Sequence, residues 1–139
     1  MRILSVDLGD VRTGLALSDQ TEMLASPLCV ITEYNKDKLL IRICDIVKKY
    51  NVQLIVVGHP KNMDGTRGQS AQKCAEFAQL LHEYSNIQTI LWDERCTTMS
   101  AHVFMNSTDT RGKKRKNNID AAAASIILQD YLDFRRNTL

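Results

Sequence analysis

The run Leu54-Ile55-Val56-Val57-Gly58 constrains the fold of this chain more than any other segment. No polar residue interrupts it, so neither face of such a strand can meet water. Strands of that kind sit inside parallel sheets whose two faces are covered by crossover helices. The flanking chain supplies the covers. Leu39, Leu40, Ile43, Ile46 and Val47 recur at helical spacing over residues 37–50, and Ala71, Cys74, Ala75, Ala78 and Leu81 recur at threes and fours over about 69–84. A second apolar strand over 87–92 completes the parallel part.

Before it, residues 2–7, 13–18 and 24–32 read as three strands of a meander, with Gly9 marking the first turn and the polar stretch Asp19 to Glu22 the second. After it come a short helix over about 97–105, a polar and basic loop over 106–116, and a last helix over about 118–134. The order βββαβαβαα implies an α/β fold: a mixed five-stranded sheet flanked by helices on both faces. At 139 residues with 44% hydrophobic, the chain has enough to build one core, so a single domain spanning 1–139 is expected. No apolar stretch approaches the roughly 20 residues of a membrane span, and no targeting signal is legible. A cytoplasmic setting without membrane contact is therefore expected.

The four cysteines, Cys29, Cys44, Cys74 and Cys96, are scattered without the paired spacing of a zinc site or the density of a disulfide framework. They read as reduced thiols. Cys96 could serve as a nucleophile, but no histidine stands beside it in sequence, which favours a small semi-buried side chain.

Acids mark the candidate site. The apolar run Ile3-Leu4-Ser5-Val6 delivers Asp7 into the turn Leu8-Gly9-Asp10, and an unpaired carboxylate there would be poorly solvated. A metal ion or a phosphate answers that cost. Asp93-Glu94 follows the last apolar strand, and Asp120 opens an alanine-rich helix. Three carboxylates converging from different elements would raise each other's pKa values unless a divalent cation neutralised them. If the strand continues through Asp93 and Glu94 they point to opposite faces, so only one can meet Asp7. Glu94 has the longer reach. Asp120 has a structural reading too, since any acid is favoured in a first helical turn.

The net charge of +2 does not by itself announce a nucleic-acid partner, but its distribution says more. Arg111, Lys113, Lys114, Arg115 and Lys116 form a run broken by Gly112 that leads towards Asp120, the footprint of phosphate contacts. Arg67, between Gly65 and Gly68, precedes a helix whose free N–H groups suit a phosphate, although a plain helix-entry turn explains the same residues. Arg12 either pairs with Asp7 or binds the scissile strand. His59 is either a strand-end residue or a phosphate contact at the rim.

Taken together, Asp7-Leu8-Gly9 with Arg12 and Gly14, Ile55-Val56-Val57-Gly58-His59-Pro60, Asn62-Met63-Asp64-Gly65, Asp93-Glu94-Arg95 with Thr97-Thr98, and Asp120 followed by four alanines resemble the YqgF/RuvX family. These are bacterial nucleases of the Holliday-junction-resolvase-like group, and the resemblance covers nearly the whole chain. It implies a ribonuclease H-like fold and metal-dependent phosphodiester cleavage in the cytoplasm. The substrate would be structured RNA, through trimming of the 5′ end of precursor small-subunit ribosomal RNA, or branched DNA. It makes Asp7, Glu94 and Asp120 the catalytic acids and metal ligands. Two Mg2+ or Mn2+ ions roughly 4 Å apart would then be expected. Arg12, Arg67, Arg95, Arg111, Lys113, Lys114, Arg115 and Lys116 would contact the nucleic acid, and the protein would act as a monomer or homodimer. In one respect the chain departs from related enzymes: the strand beside the first ends in Gly58-His59-Pro60 with no carboxylate. Two other readings stay open, a nucleotide phosphatase of the actin-like ATPase type, suggested by the Asp7-Leu8-Gly9 turn and its hairpin, and a non-catalytic RNA-binding module.

Overall fold

The structure is a computed structural model that describes residues 1–59, 69–93 and 112–138. Strands β1 (Arg2–Asp7), β2 (Arg12–Ser18) and β3 (Ala25–Thr32) form the meander. Helix α1 (Lys36–Tyr50) crosses to β4 (Val52–His59), helix α2 (Gln69–Ser85) crosses to β5 (Gln88–Asp93), and α3 (Gly112–Thr138) follows. The sheet order is β3-β2-β1-β4-β5. β1 pairs antiparallel with β2 and parallel with β4, and β5 pairs parallel with β4. This is the expected mixed sheet of five strands, and the strand boundaries agree with the sequence reading to within two residues.

The two central strands are apolar because both their faces are covered. On one face Leu4, Val6, Ile55 and Val57 pack with Leu39, Leu40, Ile43 and Val47 of α1 and with Cys74, Phe77 and Leu81 of α2. On the other face Ile3, Leu54 and Val56 pack with Ala124, Ile127, Leu128 and Leu132 of α3. Alternate residues of one strand thus serve different layers, as the period of two requires. Edge strand β3 is less buried and carries Pro27, which has no N–H to donate and is tolerated at an edge. The register with β2 slips between Leu15 and Ala16, beside that proline.

Local chemistry sets the helix ends. Asn35 caps α1, its side-chain oxygen accepting from the N–H groups of Asp37 and Lys38, and Asn51 closes the helix in the left-handed conformation at φ 54°. Asn86, at φ 57°, follows α2 in the same region.

The last helix differs from its sequence expectation. Of the basic loop expected over 106–116, residues 106–111 lie outside the described residues, and the rest is helix: α3 starts at Gly112 and not near 118, so Lys113 to Lys116 lie on its first turns. Lysine and arginine are good helix formers, and nothing in Lys113-Lys114-Arg115-Lys116 breaks a helix. The short helix expected over 97–105 lies outside the described residues. No helix among them is long and apolar enough to cross a membrane.

Candidate active site

Asp7 is the last residue of β1 and is half-buried. Its face of the sheet is fixed by Ser5, two residues earlier. The Ser5 hydroxyl is fully buried and donates to the backbone oxygen of Ala124 on α3 at 2.6 Å. Asp7 therefore shares the α3 face. Its partner on β2 is Gly14, and since Val6 pairs with Val57, the next position on β4 is Gly58. The carboxylate thus stands between two glycines, and neither adjacent position of the sheet contributes a side chain beside it.

The turn after Asp7 is tight. A Cβ at Gly9 would lie 2.1 Å from the carbonyl oxygen of Arg12, so only glycine fits there. The Gly9 N–H donates to the hydroxyl of buried Thr13 at 3.4 Å, and the Glu33 N–H donates to the Val11 carbonyl at 2.7 Å. The ammonium of Lys36, the first residue of α1, donates to the carbonyls of Gly9 at 2.7 Å and Asp10 at 3.2 Å. Asp7 and Arg12 both engage partners within the fold.

Helix α3 runs antiparallel to β1. Its middle meets Ser5, while further along Gln129 accepts from the Ala25 N–H at 2.9 Å and Arg135 pairs with Glu22 at 3.3 Å, beside the start of β1. The first turns of α3 therefore lie towards the Asp7 end. Residue 120 precedes Ala124 by four positions, one helical turn or about 6 Å along the axis. β5 ends at the same end of the sheet: Gly58 pairs with Trp92 and His59 with Asp93. The Trp92 ring packs against Tyr131 and Phe134 with centroids 5.3 and 5.1 Å apart, which puts this position of β5 on the α3 face.

Asp7, the position of Asp120 and the end of the strand bearing Asp93 are therefore brought to one end of one sheet. Glu94, Arg67, Arg95 and Arg111 lie outside the described residues, as does Cys96. Lys113, Lys114, Arg115 and Lys116 are placed on α3 by its backbone. Arg12 opens β2, where it pairs with Thr32. Cys29, Cys44 and Cys74 are reduced thiols outside any disulfide, as expected. Burial pushes the Cys29 and Cys44 thiols up despite nearby Arg42 and Lys48, which makes them poor nucleophiles. Among residues with described side chains, no group of three or more His, Cys, Asp or Glu gathers around a common point.

Sequence reasoning misses Ser5, Lys36 and Thr13. Ser5 carries a signal, a lone hydroxyl in an apolar strand that must find a partner. Lys36 carries none, because its contacts lie 26 and 27 residues away.

Comparison with known proteins bears on the family and the fold. A family described as "RuvX: Holliday junction resolvase" matches residues 1–134. A protein of Bacillus cytotoxicus named "Putative pre-16S rRNA nuclease" is 43% identical over 136 residues, 96% of this chain and 98% of the relative. One of Thermoanaerobacter pseudethanolicus with the same name is 44% identical over 138 residues, 99% of each. Among solved structures, Thermus thermophilus RuvC bound to a Holliday junction superposes with a TM-score of 0.64 at 11% identity, covering 99% of this chain and 97% of its own. The Fowlpox virus resolvase bound to junction DNA gives 0.61 at 15% identity, covering 97% of this chain and 99% of its own. At such identities these two speak for the fold, which is ribonuclease H-like. With the family match running across nearly its whole length and relatives above 40% identity, the chain belongs to the RuvX family.

Proposed function

We propose that the protein is a metal-dependent nuclease that hydrolyses phosphodiester bonds of structured RNA, with the 5′ region of precursor small-subunit ribosomal RNA as its substrate and the cytoplasm as its setting. Family membership gives the class of activity, a nuclease and hence a hydrolase. The observation that carries the reading is the Ser5–Ala124 hydrogen bond, which sets the register between β1 and α3 and draws the Asp7 end of the sheet towards the turn of α3 that bears residue 120. Relatives named for pre-16S rRNA support RNA over branched DNA, for which the resolvase neighbours are the model.

In this reading Asp7, Glu94 and Asp120 hold the ions. The fit is chemical and steric. Carboxylate oxygens suit Mg2+ and Mn2+, and the glycines on either side of Asp7 add no side chains next to it. Bound there, the ions would generate a hydroxide and stabilise the leaving oxygen. The parity of β5 supports Glu94 over Asp93 as the second acid. Trp92 is on the α3 face, and in an extended chain the position two residues on shares its parity with Asp7 while position 93 does not. The basic first turns of α3 precede residue 120 and would bind phosphates flanking the cut. Arg12, Arg67, Arg95 and Arg111 would add further phosphate contacts.

The test is cleavage of a precursor ribosomal RNA fragment and of a four-way DNA junction, with RNA affinity measured in parallel. Asp7→Asn, Glu94→Gln and Asp120→Asn should each lower metal-dependent RNA cleavage by orders of magnitude, since each substitution withdraws several kcal/mol at about 1.4 kcal/mol per tenfold. RNA affinity should hardly change, and Asp93→Asn should do much less. Binding of RNA and metal without cleavage would favour a binding module, and cleavage of the junction alone would favour a resolvase.

A further inference from the structure

Lys36 occupies a position that helix electrostatics disfavours. It follows the cap residue Asn35 and is the first residue of α1, where the exposed N–H groups carry partial positive charge and an acid, not a cation, is stabilised. Its ammonium does not turn back to the helix. It reaches across to the β1–β2 turn and donates to the carbonyls of Gly9 and Asp10. The Thr13 hydroxyl and the Glu33 N–H hold the same turn with uncharged groups, and Lys36 adds a cationic donor to them. The junction that carries Lys36 is itself fixed: Glu33 accepts from the Asn35 N–H at 3.2 Å, and Asn35 accepts from Asp37 and Lys38 at 2.9 and 3.1 Å.

This turn begins where Asp7 leaves the sheet. A carboxylate that binds an ion must be held in a fixed direction before the ion arrives, because ligands left to chance cost affinity. We propose that Lys36 is a positioning residue of the acid site, bonding two turn carbonyls from α1 so that Asp7 is presented in the geometry a divalent cation requires. The inference rests on the metal-site reading above.

The test is a Mg2+ titration of the 15N-labelled protein, following the amides of Leu8, Gly9 and Asp10, with no dependence on cleavage. Lys36→Met should move the Mg2+ midpoint up about tenfold, the effect that removing outer partners of metal ligands brings. It should also speed hydrogen exchange of the turn amides. Lys36→Gln, which keeps a donor but no charge, should fall between Met and the parent and serves if the methionine variant does not fold. Asn51→Ala weakens the far end of the same helix, where φ 54° disfavours alanine, without touching the turn and should leave the midpoint in place. A parent-like midpoint in the Lys36 variants overturns the proposal, and so does an equal shift in Asn51→Ala, which would mark a general effect of α1. If the parent protein itself shows no Mg2+ response, the metal-site reading fails as well, and the two failures are thereby told apart.

Discussion

Two residues near the acid end resist change, for opposite reasons. Gly9 is defined by what cannot be added, since a methyl group would overlap the Arg12 carbonyl at 2.1 Å, and backbone rather than a flexible side chain would have to yield. Gly9→Ala should destabilise the protein by about 1–3 kcal/mol, the range for overpacking, and urea unfolding would measure it. Ser5 is defined by what cannot be taken away. Its hydroxyl is a polar link between β1 and α3 in a fully buried place, and Ser5→Ala should cost about 0.5–1.5 kcal/mol in the same experiment. Because that bond also sets where α3 lies over β1, metal-dependent activity should fall in Ser5→Ala by more than the small change in stability explains. Both residues announce themselves in the sequence as types, a glycine in a turn and a hydroxyl in an apolar run. What each one touches is not legible there.

At the scale of elements, period and punctuation are enough for strands and helices, because burial on both faces leaves the middles of β1 and β4 no polar positions apart from a partnered serine. They fail where charge conceals propensity. The run Lys113-Lys114-Arg115-Lys116 reads as a solvated loop by composition, yet its residues favour helix, and the chain is helical from Gly112. The difference has a functional side. On a helix, residues three and four apart share a face, so positions 113, 116 and 120 line up and a row of phosphates can be met by a rigid element. Changing Lys113, Lys114, Arg115 and Lys116 to glutamine should lower the slope of log affinity for RNA against log salt by about 0.7 to 0.9 for each phosphate no longer neutralised, read from filter binding at several salt concentrations. Thermal stability should stay close to that of the parent. The register of β5, and with it the choice between Asp93 and Glu94, depends on which face Trp92 takes, and periodicity in a six-residue strand cannot say which face is which.

For the whole molecule, the layers on the two faces of the sheet are unequal in role. One face carries α1 and α2 and is an apolar layer, joined to the acid end through the reach of Lys36 to the turn. The other carries α3 and ends in Asp7. Ions bound at that end would be linked to folding, since a ligand held only by the folded state stabilises it by mass action. Mg2+ or Mn2+ should raise Tm in differential scanning calorimetry, and Asp7→Asn should remove most of the rise. A variant that responds as strongly as the parent would show that Asp7 is not the central ligand. The acids themselves are legible as candidates because each ends or begins an apolar element. That the positions of Asp7, Asp93 and Asp120 come to one end of the sheet is not legible, since it follows from topology.

The hydrogen bond from Ser5 to Ala124 joins residues 119 positions apart. During synthesis the first strand leaves the ribosome long before the helix it must meet, so a growing chain carries Asp7 exposed at the end of an unfinished sheet, with residue 120 not yet in place. On the proposed reading, catalytic competence would have to wait for α3 to dock. A nuclease acting on ribosomal precursor would in this way be kept from cutting RNA while it is still attached to the machine that makes it.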